Sequence, residues 1–248
     1  MCGIFAAISF KDKFSFKDFE IFKRQTDLVS YRGPDASGYI SFNEGQLSTT
    51  NNEFDIFLGH RRLSIIDLSA SANQPFFDDS QCIIYNGEIF NYIEIKQELQ
   101  KKGHIFRTDS DTEVILKVYK EYGESGFSLL NGMWAFVIVD NARRRIVISR
   151  DRFSIKPLYF TQVDSKFYFS SEIKQILPFV TAKRINRNSL NVFLKQALID
   201  HNEETFFENI FKIKPKTNFV IDLNDKKYFE KEYWNYSKSL SKIRLPQR

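Results

Sequence analysis

The 248-residue chain has few of the residues that mark secreted, fibrous or membrane proteins. Two cysteines, Cys2 and Cys82, cannot form a disulfide framework, so we expect a reducing compartment, the cytoplasm. Ten glycines and six prolines exclude collagen-like and low-complexity chains. The longest apolar runs, such as 134–139, are far too short to span a bilayer, and we expect no membrane partner. The three histidines lack ligand spacing, so no metal site is expected.

The chain does contain the material of a folded core, because 42% of its residues are hydrophobic and 26 are Phe. Its first ten residues, MCGIFAAISF, are apolar. No basic segment precedes them and no A-x-A site follows, so we expect no secretory signal.

The net charge of +5 lies entirely in the last part of the chain. Residues 1–213 hold 27 basic and 27 acidic side chains, whereas 214–248 hold nine and four. Lysines interleaved with aromatic residues in this segment are compatible with a nucleic-acid stacking surface. A final β segment that covers the domain and leads into a linker explains them equally simply. We favour that second interpretation and expect no nucleic-acid partner.

Hydrophobic periodicity predicts a chain of mixed α and β structure. Strand-like runs lie at 2–10, 54–59, 63–67, 81–86, 134–140, 144–150, 157–161 and 167–170, with a final hairpin over 218–223 and 226–236. Helical spacing lies at 19–29, 91–102 and 111–122, and Ser110 with Glu113 matches a capping box for the last of these. RGPDASG (32–38) is a turn cluster in which Gly33 and Gly38 permit positive φ. This order favours an α+β fold with antiparallel sheets.

Cys2 is the residue whose position suggests chemistry. Removal of Met1 would leave a free α-amine and a thiol on one residue, and their ordinary pKa values near 8 and 8.5 suit them as base and nucleophile. An N-terminal amine acting on its own side chain is an established form of this pair. On position alone, a buried structural cysteine is the commoner explanation. We assign that structural role to Cys82.

Three further segments have both a functional and a structural interpretation. Asn86-Gly87 ends an apolar strand and could form an oxyanion hole, or it could be a simple hairpin turn. Arg62 could bind the carboxylate of an amino acid, and Asp111 its ammonium group. On local grounds alone, Arg62 could equally be a surface arginine, and Asp111 an aspartate favoured at the start of a helix.

Taken together, nine segments resemble the class II glutamine amidotransferases, most closely the glutaminase domain of glutamine-dependent asparagine synthetases. In chain order they are MCGIFAAIS, YRGPDASG, LGHRRLSIIDLS, NQPF, YNGEIFNY, SDTEVIL, LNGMWAFVIVD, RDRFSIKPLYF and SSEIKQIL. The resemblance covers roughly 2–213. It implies the N-terminal nucleophile hydrolase fold, a four-layer αββα sandwich with two antiparallel sheets between helical layers. This agrees with the α+β prediction.

The resemblance also implies the roles of the reacting groups. Cys2, exposed by removal of Met1, would attack the side-chain amide of L-glutamine. Its own amine would act as base, through a water. Asn86 and Gly87 would hold the oxyanion of the tetrahedral intermediate. Ammonia would leave, and water would release glutamate from a thioester on Cys2.

Recognition of the amino acid is implied in the same way. Arg62 would bind the α-carboxylate of glutamine, and Asp111, with help from Glu88, its α-ammonium group. Asn86 and Gly87 would also contact the substrate. Arg32, in the RGPD turn, would pack beside Cys2 and position it.

The sequence departs from the family pattern in two ways. Ser154 stands where the family has a glycine in a turn of positive φ, so mild strain is expected there. In the family, a second domain uses ATP and Mg²⁺ to activate aspartate and carries a Ser-Gly-Gly-x-Asp-Ser loop. This sequence contains no such loop. We therefore expect a glutaminase domain at 2–213, then a terminal β segment and linker at 214–248 leading toward a synthetase domain. This chain would need no cofactor of its own.

Three functions follow from the resemblance. The leading hypothesis is the glutaminase half of an asparagine synthetase, delivering ammonia to a synthetase domain or chain. The alternatives are a non-catalytic remnant that binds glutamine or a partner chain, and a glutaminase that feeds a different amide acceptor. The sequence does not specify an oligomeric state, and a homodimer is left open.

Overall fold

The computed structural model describes residues 1–48 and 52–236. The helices are α1 (Phe16–Asp27), α2 (Tyr92–Lys101), α3 (Asp111–Tyr122), α4 (Ile173–Ile176) and α5 (Arg187–Gln196). The strands are β1 (Gly3–Ser9), β2 (Phe14–Ser15), β3 (Ala36–Asn43), β4 (Gln46–Leu47), β5 (Glu53–Phe54), β6 (Ile56–Arg62), β7 (Phe76–Asp78), β8 (Gln81–Ile89), β9 (Gly132–Asp140), β10 (Arg145–Arg150), β11 (Tyr159–Val163), β12 (Lys166–Ser170), β13 (Phe211–Lys212), β14 (Thr217–Asp222) and β15 (Lys227–Glu232).

Two antiparallel sheets form the centre of the molecule. The first has the strand order β13-β11-β12-β1-β6-β3-β4, with β1 in the middle between β12 and β6. The second has the order β15-β14-β10-β9-β8-β7. A short pair, β2 with β5, lies beside the first sheet. The carboxyl end of β6 and the amino end of β1 therefore lie side by side.

Alternating side chains along the strands form three apolar layers, one between the two sheets and one on the outer face of each sheet. Helices cover both outer faces, which gives four layers of secondary structure. In β1, Ile4 and Ala6 face the second sheet, where they meet residues such as Ile84 and Val137. The opposite face of β1 presents Phe5, which packs with α1 and α4. The outer face of the second sheet packs in the same way against α2 and α3. This arrangement confirms the predicted αββα sandwich.

The helix ends are set by local chemistry, with one correction. At α1, Ser15 and Asp18 form a reciprocal capping box. At α3, Ser110 is the N-cap and its hydroxyl accepts from Thr112 N at 3.2 Å, but the predicted capping box is wrong. The Glu113 carboxylate instead accepts from backbone N–H groups of the preceding loop, at 107 and 108.

Two other local predictions are wrong. No strand covers 63–67, because the chain leaves β6 after Arg62 and turns back on itself, with Ser64 N donating to Asp35 Oδ2 at 2.7 Å. The turn cluster predicted at 32–38 ends too late, because β3 begins at Ala36, and neither Gly33 nor Gly38 uses the positive φ that glycine permits. A Cβ on Gly33 would lie 2.4 Å from the carbonyl of Arg61, so this glycine is required by close backbone approach.

The end of the described chain forms the predicted hairpin. β14 pairs with β10, and β15 pairs with β14. The predicted linker at 237–248 lies outside the described residues, and the boundary placed after residue 213 stays a prediction. No helix in the described part of the chain is long and apolar enough to cross a membrane.

Candidate active site

Strand alternation brings three predicted site residues to one end of the space between the sheets. Cys2 continues the inward-facing series of Ile4 and Ala6, and Arg62 continues that of Leu58 on β6. Asn86 likewise continues the series of Cys82 and Ile84 on β8. All three side chains line one cleft, together with Gly87, Glu88 and Asp111.

The thiol of Cys2 is held by the residue that follows β6. Leu63 N donates to Cys2 Sγ at 3.3 Å, and Sγ lies 3.6 Å from Leu63 O. Burial raises the pKa of the Cys2 thiol, while the Leu63 N–H opposes this. The Cys2 side chain is therefore a neutral thiol at rest, and it would need a base to become a nucleophile.

Arg32 holds the backbone of Cys2. Its Nε donates to Cys2 O at 3.0 Å, and its Nη1 pairs with Glu172 Oε1 at 3.0 Å. Tyr31 and Lys174 contact the same glutamate. Since the guanidinium is fixed on both sides, the start of β1 has a defined position relative to the cleft.

The buried side-chain amide of Asn86 has no hydrogen-bond partner among the described residues. It is 1% exposed, and neither Oδ1 nor Nδ2 forms a hydrogen bond within residues 1–48 and 52–236. An unpaired buried polar group costs about 1–3 kcal/mol. Such a cost is typical of a group that awaits a ligand.

The register of β8 turns the Gly87 N–H toward the cleft. Its cross-strand partner on β9 is Trp134. The N–H and carbonyl of Trp134 bond to Asp151, at 3.3 and 2.9 Å, and so point away from β8. Gly87 and Trp134 therefore form a non-hydrogen-bonded pair, and the Gly87 N–H faces the open edge of β8.

On that edge the two neighbouring N–H groups are already occupied. Tyr85 N donates to Gln74 Oε1 at 2.6 Å, and Ile89 N donates to Asp111 Oδ2 at 2.9 Å. Gly87 lies between them, so its N–H adjoins the unpaired Asn86 amide.

Asn86-Gly87 neither ends the strand nor forms a hairpin turn, as β8 continues to Ile89. Gly87 is glycine for lack of space, because an added Cβ would lie 2.3 Å from Met133 O and 2.4 Å from Tyr85 Cε2. The predicted strand end at Asn86 and the alternative of a hairpin turn are therefore both wrong. The two residues do line the same cleft as Cys2.

Asp111 is a buried carboxylate at the first turn of α3. Its Oδ2 accepts from the Tyr85 hydroxyl at 2.8 Å and from Ile89 N. Burial raises the pKa of Asp111 to about 6, despite these two donors, and nearby Glu88 adds to the rise. A cation bound here would restore the charged form.

Arg62 is held by the loop that follows β6. Nη1 donates to Ser69 O at 2.9 Å and to Asn73 Oδ1 at 2.7 Å, and Nη2 donates to Asp67 O. These direct acceptors are neutral, and the nearest acidic influence is the Asp67 carboxylate, whose pKa is lowered by hydrogen bonds from Ser69 and also by Arg62. Arg62 is 7% exposed. An anionic ligand group would find a preorganised cation there.

Sequence reasoning missed several residues of the cleft. Gln74 bridges Tyr85 N and Thr112 Oγ1, and Lys156 lines the wall near Cys2. The NQPF and RDRFSIKPLYF segments were the available signals for Gln74 and Lys156. Their roles depend on long-range contacts that no local pattern contains.

His60 is excluded as the base for Cys2. It is fully buried, and burial lowers its pKa to about 3. Its Nε2 lies 3.0 Å from Tyr85 O, so Nε2 carries the proton and donates it to that carbonyl. Cys82 is also fully buried, and burial raises its pKa well above the ordinary value. The described residues contain no group of three or more His, Cys, Asp or Glu side chains that could hold a metal ion.

The basic terminal segment packs on its own domain. The Tyr233 ring lies 5.7 Å from that of Trp134, and its hydroxyl donates to Arg150 O at 2.9 Å. The Tyr228 ring stacks on Phe219 at 4.7 Å. These contacts support the interpretation of this segment as a covering β element.

Comparison with known proteins agrees with this geometry. The profile of the glutamine amidotransferase domain family matches residues 1–234. Asparagine synthetase (glutamine-hydrolyzing) 1 of Bacillus subtilis is 35% identical over 220 residues, covering 86% of this chain and 33% of that protein. Amidase chry2 of Gibberella zeae is 36% identical over 212 residues, covering 84% of this chain and 29% of that protein. The chain thus spans about a third of the length of these relatives.

Among solved structures, the glutamine phosphoribosylpyrophosphate amidotransferase of B. subtilis superposes with a TM-score of 0.69 at 17% identity, over 94% of this chain and 49% of that one. At this identity the likeness shows the fold alone. The sequence match covers the whole cleft from Cys2 to Lys156. The chain therefore belongs to the glutamine amidotransferase domain family.

Proposed function

We propose that this chain hydrolyses the side-chain amide of L-glutamine to glutamate and ammonia, with Cys2 as the nucleophile. One observation carries the proposal: the unpaired Asn86 amide and the edge-facing Gly87 N–H line the same cleft as the Cys2 thiol. Two preorganised donors beside a thiol are what acyl transfer requires.

The first half of the reaction forms a thioester. The α-amine of Cys2, freed from Met1, takes the thiol proton, and Sγ attacks the amide carbon of glutamine. Asn86 Nδ2 and Gly87 N–H donate to the resulting oxyanion. When the intermediate collapses, the C–N bond breaks, the amine returns its proton to the leaving nitrogen, and ammonia departs.

The second half releases glutamate. The neutral amine takes a proton from water, and the hydroxide formed attacks the thioester carbon in the same oxyanion site. The C–S bond breaks and the thiolate recovers the proton. The net reaction is glutamine plus water to glutamate plus ammonia, and it requires no cofactor in this chain.

Charge complementarity selects the amino-acid end of the substrate. Arg62, whose guanidinium has only neutral acceptors, binds the α-carboxylate. Asp111, with Glu88 beside it, binds the α-ammonium. Arg32 positions Cys2 through its carbonyl. A neutral side-chain amide then reaches Sγ.

The fate of the ammonia belongs to the same proposal. The asparagine synthetase name of a 35% identical relative supports delivery to a synthetase domain or chain that amidates aspartate with ATP and Mg²⁺. The amidase name of another relative, at 36% identity, favours a different acceptor as the second candidate. The unpaired state of Cys2 and Cys82 supports the cytoplasm as the site of action.

The test is glutamate release from glutamine by the purified chain, with the mass of the mature N-terminus measured in the same preparation. We expect loss of Met1 and measurable turnover. Cys2→Ala should abolish turnover, while the matched variant Cys82→Ala, which also removes one thiol, should retain it.

Absence of turnover in a chain that has lost Met1 would contradict the catalytic proposal and favour a non-catalytic remnant. Equal turnover in Cys2→Ala and the unmodified chain would reject Cys2 as nucleophile.

A further inference from the structure

Lys156 is a buried cation in the cleft to which the mechanism above gives no role. It is 5% exposed and lines the same space as Cys2, Glu88 and Met133. Its ammonium group forms no hydrogen bond or ion pair with the described residues, 1–48 and 52–236. Its Nζ is not among the fully buried nitrogens that lack a partner, so the ammonium group reaches the open cleft while the rest of the side chain is covered. A partly desolvated cation beside a reactive thiol is a candidate for a functional group.

The fold holds this lysine in place by its backbone. The Asp151 carboxylate accepts from Lys156 N and Ile155 N, each at 2.9 Å. The Arg150 guanidinium donates to Lys156 O at 2.8 Å and to Ser154 O at 3.0 Å. Since both partners are themselves buried, the loop presents Lys156 to the cleft in a fixed direction.

The chain terminus lies within the field of Lys156. The terminal amine in this structure is that of Met1, one residue before the Cys2 amine. Burial lowers its pKa most; Arg32 and Lys156 lower it further, whereas Cys2 and Asp35 raise it. Arg32 is balanced by its ion pair with Glu172. Lys156 has no such pair.

The charges around Lys156 and Cys2 complete the setting. Burial is the largest influence on the pKa of Lys156 and lowers it, and the nearby charge of Arg32 lowers it further. Cys2, Glu88 and Asp151 raise it. Around the thiol, the terminal amine and Arg62 lower the pKa of Cys2, and Asp111 raises it. Glu88 lines the cleft together with Lys156 and also acts on Asp111, whereas Asp151 lies behind Lys156 on its own loop.

We propose that Lys156 is an electrostatic positioning residue, whose charge in the cleft keeps the α-amine of Cys2 neutral and so able to take the thiol proton. This inference rests on the proposed function, because it assigns a partner to the base of that reaction. Met1 is 53% exposed and Cys2 is half-buried, so removal of Met1 places the amine deeper in the cleft.

The charge acts in one direction on both reacting groups. A nearby cation disfavours a protonated amine and favours a thiolate, so each group loses its proton at lower pH. Removing the charge should move the acid limb of kcat/KM to higher pH. At the distances of a shared cleft, a shift of about 0.5–1 pH unit is expected, which is a threefold to tenfold loss on that limb.

The first experiment is the pH profile of kcat/KM for glutamine. Lys156→Met should shift the acid limb upward by that amount, while Lys156→Arg, which keeps the charge, should restore the original midpoint. Lys13→Met removes an exposed, ion-paired charge beyond the far end of β1 and should leave the profile unchanged. An unshifted profile in Lys156→Met overturns the inference. Failure of Lys156→Arg to restore the midpoint also overturns it.

The second experiment needs no glutaminase activity. In a Cys2→Ser background, which removes the competing thiol, the rate of acylation of the N-terminal amine is followed against pH by the mass of the terminal peptide. Lys156→Met should raise the midpoint of this titration, and an unchanged midpoint contradicts the inference. If the midpoint moves in a chain that shows no turnover with native Cys2, the proposed function fails while the electrostatic role of Lys156 stands.

Discussion

Asp111 offers the sharpest test of the site, because the feature that suits it to glutamine also destabilises the fold. Asp111→Asn keeps an oxygen that can accept from the Tyr85 hydroxyl and Ile89 N, and it removes the buried charge. We expect the variant to be more stable than the unmodified chain at neutral pH and much weaker with glutamine.

The magnitude follows from the raised pKa. The carboxyl has an ordinary pKa of 3.8, which applies to the unfolded chain, and a folded pKa of about 6. Below pH ~4 both states carry the proton and ionisation costs nothing. Between pH ~4 and ~6 the unfolded state ionises first, so stability falls as pH rises. Above pH ~6 the full cost applies, about 3 kcal/mol at 1.36 kcal/mol per unit.

The assay is urea unfolding of both chains at pH 7.5 and pH 4, with the difference in free energy of unfolding taken at each pH. Asp111→Asn should gain up to about 3 kcal/mol at pH 7.5 and about zero at pH 4. Its kcat/KM for glutamine should fall about 10- to 100-fold through loss of a charged hydrogen bond. Asp12→Asn, an exposed aspartate beyond the far end of β1, serves as control. Destabilisation at pH 7.5, or an equal gain at both pH values, would refute this reasoning.

Three further predictions concern the same cleft and its wall. Asn86→Ala should lower kcat about 100- to 1,000-fold in glutamate release, whereas its urea midpoint should not fall, because the amide has no partner in the described fold. The KM for glutamine should rise about tenfold per unit below pH ~6 as Asp111 takes up a proton, and a KM that is flat from pH 5 to 8 would contradict its role. Ser154→Gly should raise the free energy of unfolding by about 1 kcal/mol, seen as about 2–4 °C in Tm, since Ser154 has φ 58. No gain in Tm would show that the strain is offset locally.

The sequence predicted the structure correctly where the deciding signal lies within one short segment. Alternation predicted most of the long strands but missed β3, and helical spacing predicted α3, which spans the predicted 111–122. The resemblance likewise placed Cys2, Arg62, Asn86 and Asp111 in one cleft, and the strand registers bring them there. Their catalytic and binding roles stay predictions until the variants are measured.

Local signals failed where distant segments decide the backbone. Asn86-Gly87 has the composition of a hairpin turn, yet it lies inside β8 because β9 pairs along its whole length. The segment 63–67 has strand-like composition, but Leu63 binds Cys2 and the following loop wraps around the Arg62 guanidinium. The capping box at Ser110 is replaced because Glu113 binds the preceding loop instead. Each competing contact depends on where other parts of the chain lie.

One buried carboxylate links the features that local reasoning could not connect. The side chain of Asp151 accepts from Trp134 N, Ile155 N and Lys156 N, and its own N–H donates to Trp134 O. Asp151 occupies the polar groups of Trp134, and the N–H of Gly87, which lies opposite Trp134 on β8, faces the cleft instead. By closing the loop, Asp151 holds Ser154 at positive φ and directs Lys156 toward Cys2. The strain at Ser154 is therefore a consequence of the contacts that orient both the Gly87 N–H and the Lys156 side chain. A glycine there would relieve the strain, whereas loss of the Asp151 carboxylate would disturb both groups at once.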